Sequence, residues 1–272
     1  MRLDKALLVF WKDFIEISRN KEVLLPMIIV PLIFSFFLPA ISVIIPDQVN
    51  TGDSGSEFER LIKNLPEDVR IMIGEFDSLQ QSIYIILVYF FAPFFLIIPV
   101  MASSVISSDS FAGEKERNTL EALLATPLTD SELLFGKILV GFIPSIVITF
   151  VSFIIYTATV DLLTFRRFGV YILPTLPWIT MILILAPAIA LLGIGVTVVI
   201  SSKVKGFREA QQLSAMLVVP VLALVFGQAS GYLILGGSVI IVLSIIVGIL
   251  DFLVFRLGLF LFQREKILSQ SK

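Results

Sequence analysis

The 272 residues are 57% hydrophobic, with a mean hydropathy of +0.99 and a formal net charge of −2, well beyond the roughly half-apolar composition of a soluble globular domain. There is no Cys and no His, which excludes disulfides, zinc–thiolate sites, HExxH metalloprotease chemistry and Ser–His or Cys–His nucleophile pairs. Lys and Arg are scattered and not gathered on one basic face, so no nucleic-acid partner is expected.

Apolar runs of about 18 residues or more, without the ten-residue alternation of a membrane barrel, predict spanning helices. Before the first run, residues 1–22 carry Leu3, Leu7, Phe10, Phe14 and Ile17 at helical spacing, with Trp11 beside them and Asp4, Lys5, Lys12, Asp13, Glu16 and Arg19 mostly elsewhere. This pattern predicts an amphipathic helix in the membrane interface, the other reading being a short helix packed on the next span. The first span, 23–45, is too long for a signal-peptide core and contains Pro26, Pro31 and Pro39. A kinked helix is expected there, since neighbours in a bundle re-satisfy the carbonyls that proline frees. Residues 46–81 turn polar and read as an extracytoplasmic loop, with Phe58, Leu61, Ile62 and Leu65 suggesting a short helix before Pro66.

Five more spans follow at 82–106, 136–160, 176–200, 213–230 and 234–256, making an all-α membrane bundle of six. Fifteen Lys and Arg residues fall on the side that holds both termini, the stretch from Ser107 to Lys137 and the connection around Lys203, against five on the other. That bias predicts cytoplasmic termini and a cytoplasmic 107–135 segment.

Helix signals divide this central segment. Asn118 with Glu121 has the form of a capping box that would start a short helix at Thr119, with Leu120, Leu123 and Leu124 on one face and a stop at Thr126–Pro127. A second box, Thr129 with Glu132, would start the helix that runs on into the third span. The short helix cannot bury its Leu face alone, so it lies on the bilayer surface or docks on something.

Here the sequence resembles the type-2 ABC transporter permeases. That family carries a pattern close to E-x-E-x-G-T-x-E-x-L-x-x-x-P-x-x-x-x-E-x-x-x-G-K between its second and third spans. Glu114, Glu116, Thr119, Glu121, Leu123, Pro127, Glu132, Gly136 and Lys137 stand in matching places. Asn118 replaces a frequent Gly; it is the residue next most able to take a left-handed backbone and is also a good N-cap. WKDF…RNK at Trp11–Lys21 and LFQREKIL at Leu261–Leu268 extend the likeness to both ends.

The resemblance implies an exporter permease in the cell membrane that pairs with a second permease subunit, identical or related. It further implies a cytoplasmic coupling helix docked on a separate ABC ATPase subunit. Thr119, Glu121 and Leu123 would form the docking surface, closed by Pro127, and Glu114, Glu116 and Arg117 a charged hinge. The chain itself would bind no cofactor and catalyse no reaction, with ATP and Mg held by the partner. No GxxxxGK[ST] loop is present, because Gly136–Lys137 is followed by Ile138.

Asp251 lies in the last apolar run, five residues before Arg256. An intramembrane acid is costly and marks a possible polar site in the pathway, or else pairs structurally with a base on another helix. A self-sufficient secondary transporter or channel is the alternative function; it would need paired ionisable residues near the midplane or an inverted repeat, and only Asp251 comes close.

Overall fold

The computed structural model describes residues 3–44, 62, 65, 67–119, 126, 128–230 and 233–261, and among these it contains helices and no strand. The helices are α1 (Leu3–Ile17), α2 (Lys21–Ile44), α3 (Glu67–Gly74), α4 (Ser78–Glu116), α5 (Asp130–Phe168), α6 (Leu176–Ser201), α7 (Phe207–Ala229) and α8 (Gly237–Leu261). Six of them, α2 and α4 to α8, are long and apolar enough to cross a membrane.

The spanning helices run past the apolar windows seen in sequence. At 39 residues each, α4 and α5 are roughly 58 Å long at about 1.5 Å per residue, against a hydrocarbon layer of about 30 Å. Hydropathy finds the part that meets lipid, whereas helix ends are set by caps. Asp77 and Gln80 form a reciprocal box that starts α4, with Gln80 N–H donating to Asp77 Oδ1 at 2.6 Å and Asp77 N–H to Gln80 Oε1 at 3.0 Å. Gly169, at φ +69°, ends α5 in the left-handed conformation that glycine adopts without strain. Asp161 Oδ1 then accepts from the N–H groups of Ile172 and Leu173, each at 3.1 Å, and fixes the turn into α6.

The axis of the bundle is α4, which packs against α2, α5, α6 and α7, while α8 lies outside against α6. Of the most apolar stretch of α4, 78% is buried by protein, against 6% for α8, so α4 carries the core and the rest of the described chain leaves most of α8 uncovered.

Three of the prolines follow a widened turn instead of breaking their helix. A proline ring clashes with the carbonyl four residues back. For Pro39, Pro93 and Pro187 that carbonyl belongs to Ser35, Tyr89 and Leu183, and each lies in a π-helical turn: Ile33–Phe37, Ile85–Phe90 and Met181–Leu185. The widened turn of α4 is taken up by three neighbours. Tyr156 Oη of α5 donates to the Leu87 carbonyl at 2.5 Å, Trp178 Nε1 of α6 to Val88 at 2.7 Å, and Gln228 Nε2 of α7 to Tyr89 at 2.5 Å. The Trp178 ring also stacks on Tyr156 with centroids 4.8 Å apart. One irregular turn thus fixes the register of three helices.

Trp178→Phe keeps most of that stacking and removes the donor to Val88. It should cost about 1–3 kcal/mol, the usual penalty for a buried carbonyl left unpaired, seen as a lower midpoint in thermal unfolding of the detergent-solubilised protein. Trp11→Phe, at an exposed site, should leave the midpoint unchanged.

Candidate functional site

The site lies where α1 meets the ends of α4 and α5. The inward stripe of α1 is Ala6, Val9, Phe10, Asp13 and Ile17, which differs from the expected one. Phe10 and Ile17 turn in, whereas Leu3, Leu7, Trp11 and Phe14 stay exposed together with Leu8 and Ile15. The helix therefore has one face for the bundle and a second apolar face outward. Its approach to α5 requires Gly136: a Cβ there would meet the Ala6 carbonyl oxygen at 2.7 Å and Val9 Cβ at 2.8 Å.

The stretch expected to be a polar cytoplasmic segment from residue 107 is, up to Glu116, the end of α4. Ser107, Ser108, Asp109, Ser110 and Glu114 are all buried. They escape solvent because partners on α1 and α5, far away in sequence, replace water. A fourth π-helical turn, Asp109–Gly113, occurs here without any proline. At this turn Lys137 Nζ of α5 donates to the Ser110 carbonyl, and the Glu114 N–H bonds to Phe111.

Lys137 is the centre of the site and is fully buried. Its ammonium lies 2.6 Å from Glu114 Oε2 and 3.2 Å from both Asp13 Oδ2 and Ser110 Oγ, and 5.2 Å from the centroid of the Phe111 ring. Ser110 Oγ donates to Asp13 Oδ2 at 2.8 Å. Lys12 closes the cluster from the solvent side, pairing with Glu114 and, at 3.0 Å, with Asp13 Oδ1. An outer tier follows: Arg117 reaches Asp109 and Glu16 at 3.0 Å each, and Asn20 Nδ2 donates to Asp109 at 3.1 Å.

Burial would raise the Asp13 carboxyl, but Lys137 and Lys12 more than offset it and hold it below the ordinary carboxylate range. Burial would lower Lys12, and its contacts with Glu114 and Asp13 hold it above the usual lysine value. Arg117 is raised in the same way, Asp109 outweighing burial. Asp13, Glu16 and Glu114 bring carboxylate oxygens within 4.8 Å of one another, the spacing of a cation site; Lys12 and Lys137 are the cations that fill it. Each of its acids has a basic partner, Asp13 and Glu114 in Lys12 and Lys137, Glu16 in Lys12 and Arg117, and Asp109 in Arg117, so the cluster ties the three helices together.

The expected hinge residues divide among three contacts. Glu114 turns inward to Lys137, Arg117 binds Asp109 and α1, and Glu116 Oε2 accepts the N–H of Phe207, the first residue of α7, at 2.8 Å. A carboxylate there also meets the positive end of the helix dipole. Next to it, Lys115 Nζ donates to the Val204 carbonyl at 2.8 Å. Asn118 has φ +58°, so it takes the left-handed turn anticipated for it and ends α4. Thr119 is exposed and donates its hydroxyl to the Glu114 carbonyl at 3.2 Å. Glu121, Leu123 and Pro127, with the short helix predicted around them, lie outside the described residues. Beyond them the Thr129–Glu132 box is in place, with bonds of 3.3 and 3.1 Å. Asp251, on α8, is not part of this site.

A family model for ABC-2 family transporter proteins matches residues 7–255. The chain belongs to the ABC-2 transporter family. Comparison with curated proteins finds no match. The family match takes in all but the first residues of α1 and nearly all of the six spans, so this transporter is a permease component of the ABC type. Glu114 and Lys137, the two ends of the motif noted in the sequence, are bonded to each other.

Sequence reasoning missed Asp13, Lys12, Glu16, Asp109 and Ser110, and saw Lys137 only as the end of a motif. The available signal was positional. Asp13 stands on a helical stripe with Ala6, Val9, Phe10 and Ile17, and an acid in an otherwise apolar stripe implies a buried cation opposite.

Lys137→Met leaves two buried carboxylates without their main counter-charge and should destabilise the permease by about 3–5 kcal/mol. The double variant Lys137→Met/Glu114→Leu should recover part of that loss in the same thermal unfolding assay. The pH dependence follows from signs. A depressed Asp13 contributes stability above the ordinary carboxylate value that is lost as pH falls through its folded value; a raised Lys12 contributes below the ordinary lysine value and is lost as pH rises through its own. Unfolding midpoints should therefore be flat between about pH 5 and 9, and Asp13→Asn should lower that plateau.

Proposed function

We propose that this permease forms the translocation path of an exporter and is driven by a separate ABC ATPase that docks on the segment between α4 and α5. The observation that carries this reading is the Glu114–Lys137 pair at 2.6 Å. It ties together the two ends of the segment that holds Thr119, Glu121, Leu123 and Pro127, and Asp13 joins α1 to the same point. A push on the segment then moves α4, α5 and α1 as one body, and Glu116 and Lys115 carry it on to the start of α7. This is a rigid-body element whose position a partner's ATP cycle can bias.

The Lys and Arg bias supports placing this end of the bundle in the cytoplasm of a cell membrane. There the exposed Leu3, Leu7, Trp11 and Phe14 of α1 meet the lipid interface. A second permease subunit completes the path. ATP and Mg belong to the partner, since the chain offers no phosphate loop.

The purified permease should hydrolyse no ATP alone, and a cognate ATPase should copurify from native membranes. Glu121→Lys or Leu123→Pro should lower ATP-driven transport roughly tenfold or more, as loss of a central interface contact does, with the protein still inserted and its unfolding midpoint unchanged. Transport at the normal rate with no ATPase present would rule the proposal out.

A further inference from the structure

We propose that the cleft between α5, α6 and α8 binds a small hydrophobic amine from the lipid phase, the ammonium pairing with Asp251. A cavity of about 300 Å³ opens there, lined by Leu134 and Ile138 of α5, Leu191 and Val198 of α6, and Phe255 of α8. That volume is at the lower end of those that hold small ligands. Asp251 is the one charged side chain in the lining, and its Oδ1 is buried without a hydrogen-bond partner among the described residues.

No described base serves it. Arg256 lies over the Phe252 ring, 5.9 Å from its centroid. Lys137, the nearest base in sequence to the α5 wall, is held by Glu114, Asp13 and Ser110. The remaining wall, α6, has no charged residue between Leu176 and Ser201.

A half-buried carboxylate whose Oδ1 is walled in by apolar side chains without a partner suits a ligand of two parts, a cation and a hydrophobic body, because a counter-charge offsets the cost of taking the acid out of water. The surroundings exclude two other occupants. A proton relay needs a chain of polar groups, and the rest of the lining is apolar. A phospholipid ammonium stays at the headgroup level, whereas Asp251 precedes Leu261, the last described residue of α8, by roughly 15 Å of helix. Access is lateral: Leu191, Phe252 and Phe255 are all exposed on the outer flank of the bundle.

The test is photolabelling of the full chain in lipid nanodiscs with a matched pair of probes. One is a trifluoromethyl-diazirinyl benzyl dimethylamine, and the other its neutral counterpart with isopropyl in place of dimethylamino. Peptide mapping then locates the label. The amine should label the cleft segments of α6 and α8 at least about tenfold more than the neutral probe, as expected of a charge-assisted contact.

Asp251→Asn should bring the amine down to the neutral level with the neutral probe unaffected, which shows the cleft intact. Asp251→Glu should keep the preference, and Leu191→Trp should remove both labels. Equal labelling by the two probes in the unmodified chain overturns the proposal. So does an amine preference that survives Asp251→Asn, or cleft labelling that survives Leu191→Trp. Binding is read without ATP or any partner, so its failure leaves the ATPase-driven reading standing.

Discussion

Everything at the α1 end of the bundle depends on one ammonium group taken out of water. Removing Lys137 from solvent costs several kcal/mol per ion after relaxation, and mutual attraction offsets this only when hydrogen bonds satisfy what remains. Glu114, Asp13, Ser110 Oγ and the Ser110 carbonyl together meet that condition. Such an arrangement is a weak source of net stability and a strong source of position, since any displacement of α1, α4 or α5 leaves a charge exposed to an apolar surround.

The same physics recurs along α4. The helix has two widened turns, one just before Pro93 and one where Lys137 meets it, and in both, carbonyls are taken by donors from other helices. Near one end the donors are neutral, from Tyr156, Trp178 and Gln228; near the other the donor is charged. A helix held at two irregular points by four side chains from three helices keeps its register along its whole length. That is the property needed if a movement imposed at one end is to appear at the other.

The sequence read well where structure is local or periodic. Six spans follow from hydropathy, the Thr129–Glu132 box from three-residue spacing, and the left-handed turn at Asn118 from the backbone freedom of asparagine. It read poorly where polar residues find partners far along the chain. Ser107 to Glu114 have the composition of a solvated loop, and only α1, about a hundred residues earlier, and α5 turn them into core: Ser110 meets Asp13 across 97 positions and Lys137 meets Asp13 across 124. Asp13 was assigned to the polar side of α1 for the same reason, because periodicity cannot tell a charge facing water from a charge facing a buried partner.

The central claim is that Lys137 makes one body of α1, α4 and α5. The chain has no Cys, so spin labels can be placed at will, and Leu8 on α1 and Phe135 on α5 are both exposed. A distance distribution between labels at these two positions, measured by pulsed electron resonance in nanodiscs, should be single and narrow with Lys137 present and broad in Lys137→Met. An equally narrow distribution at the same distance in Lys137→Met would contradict the account.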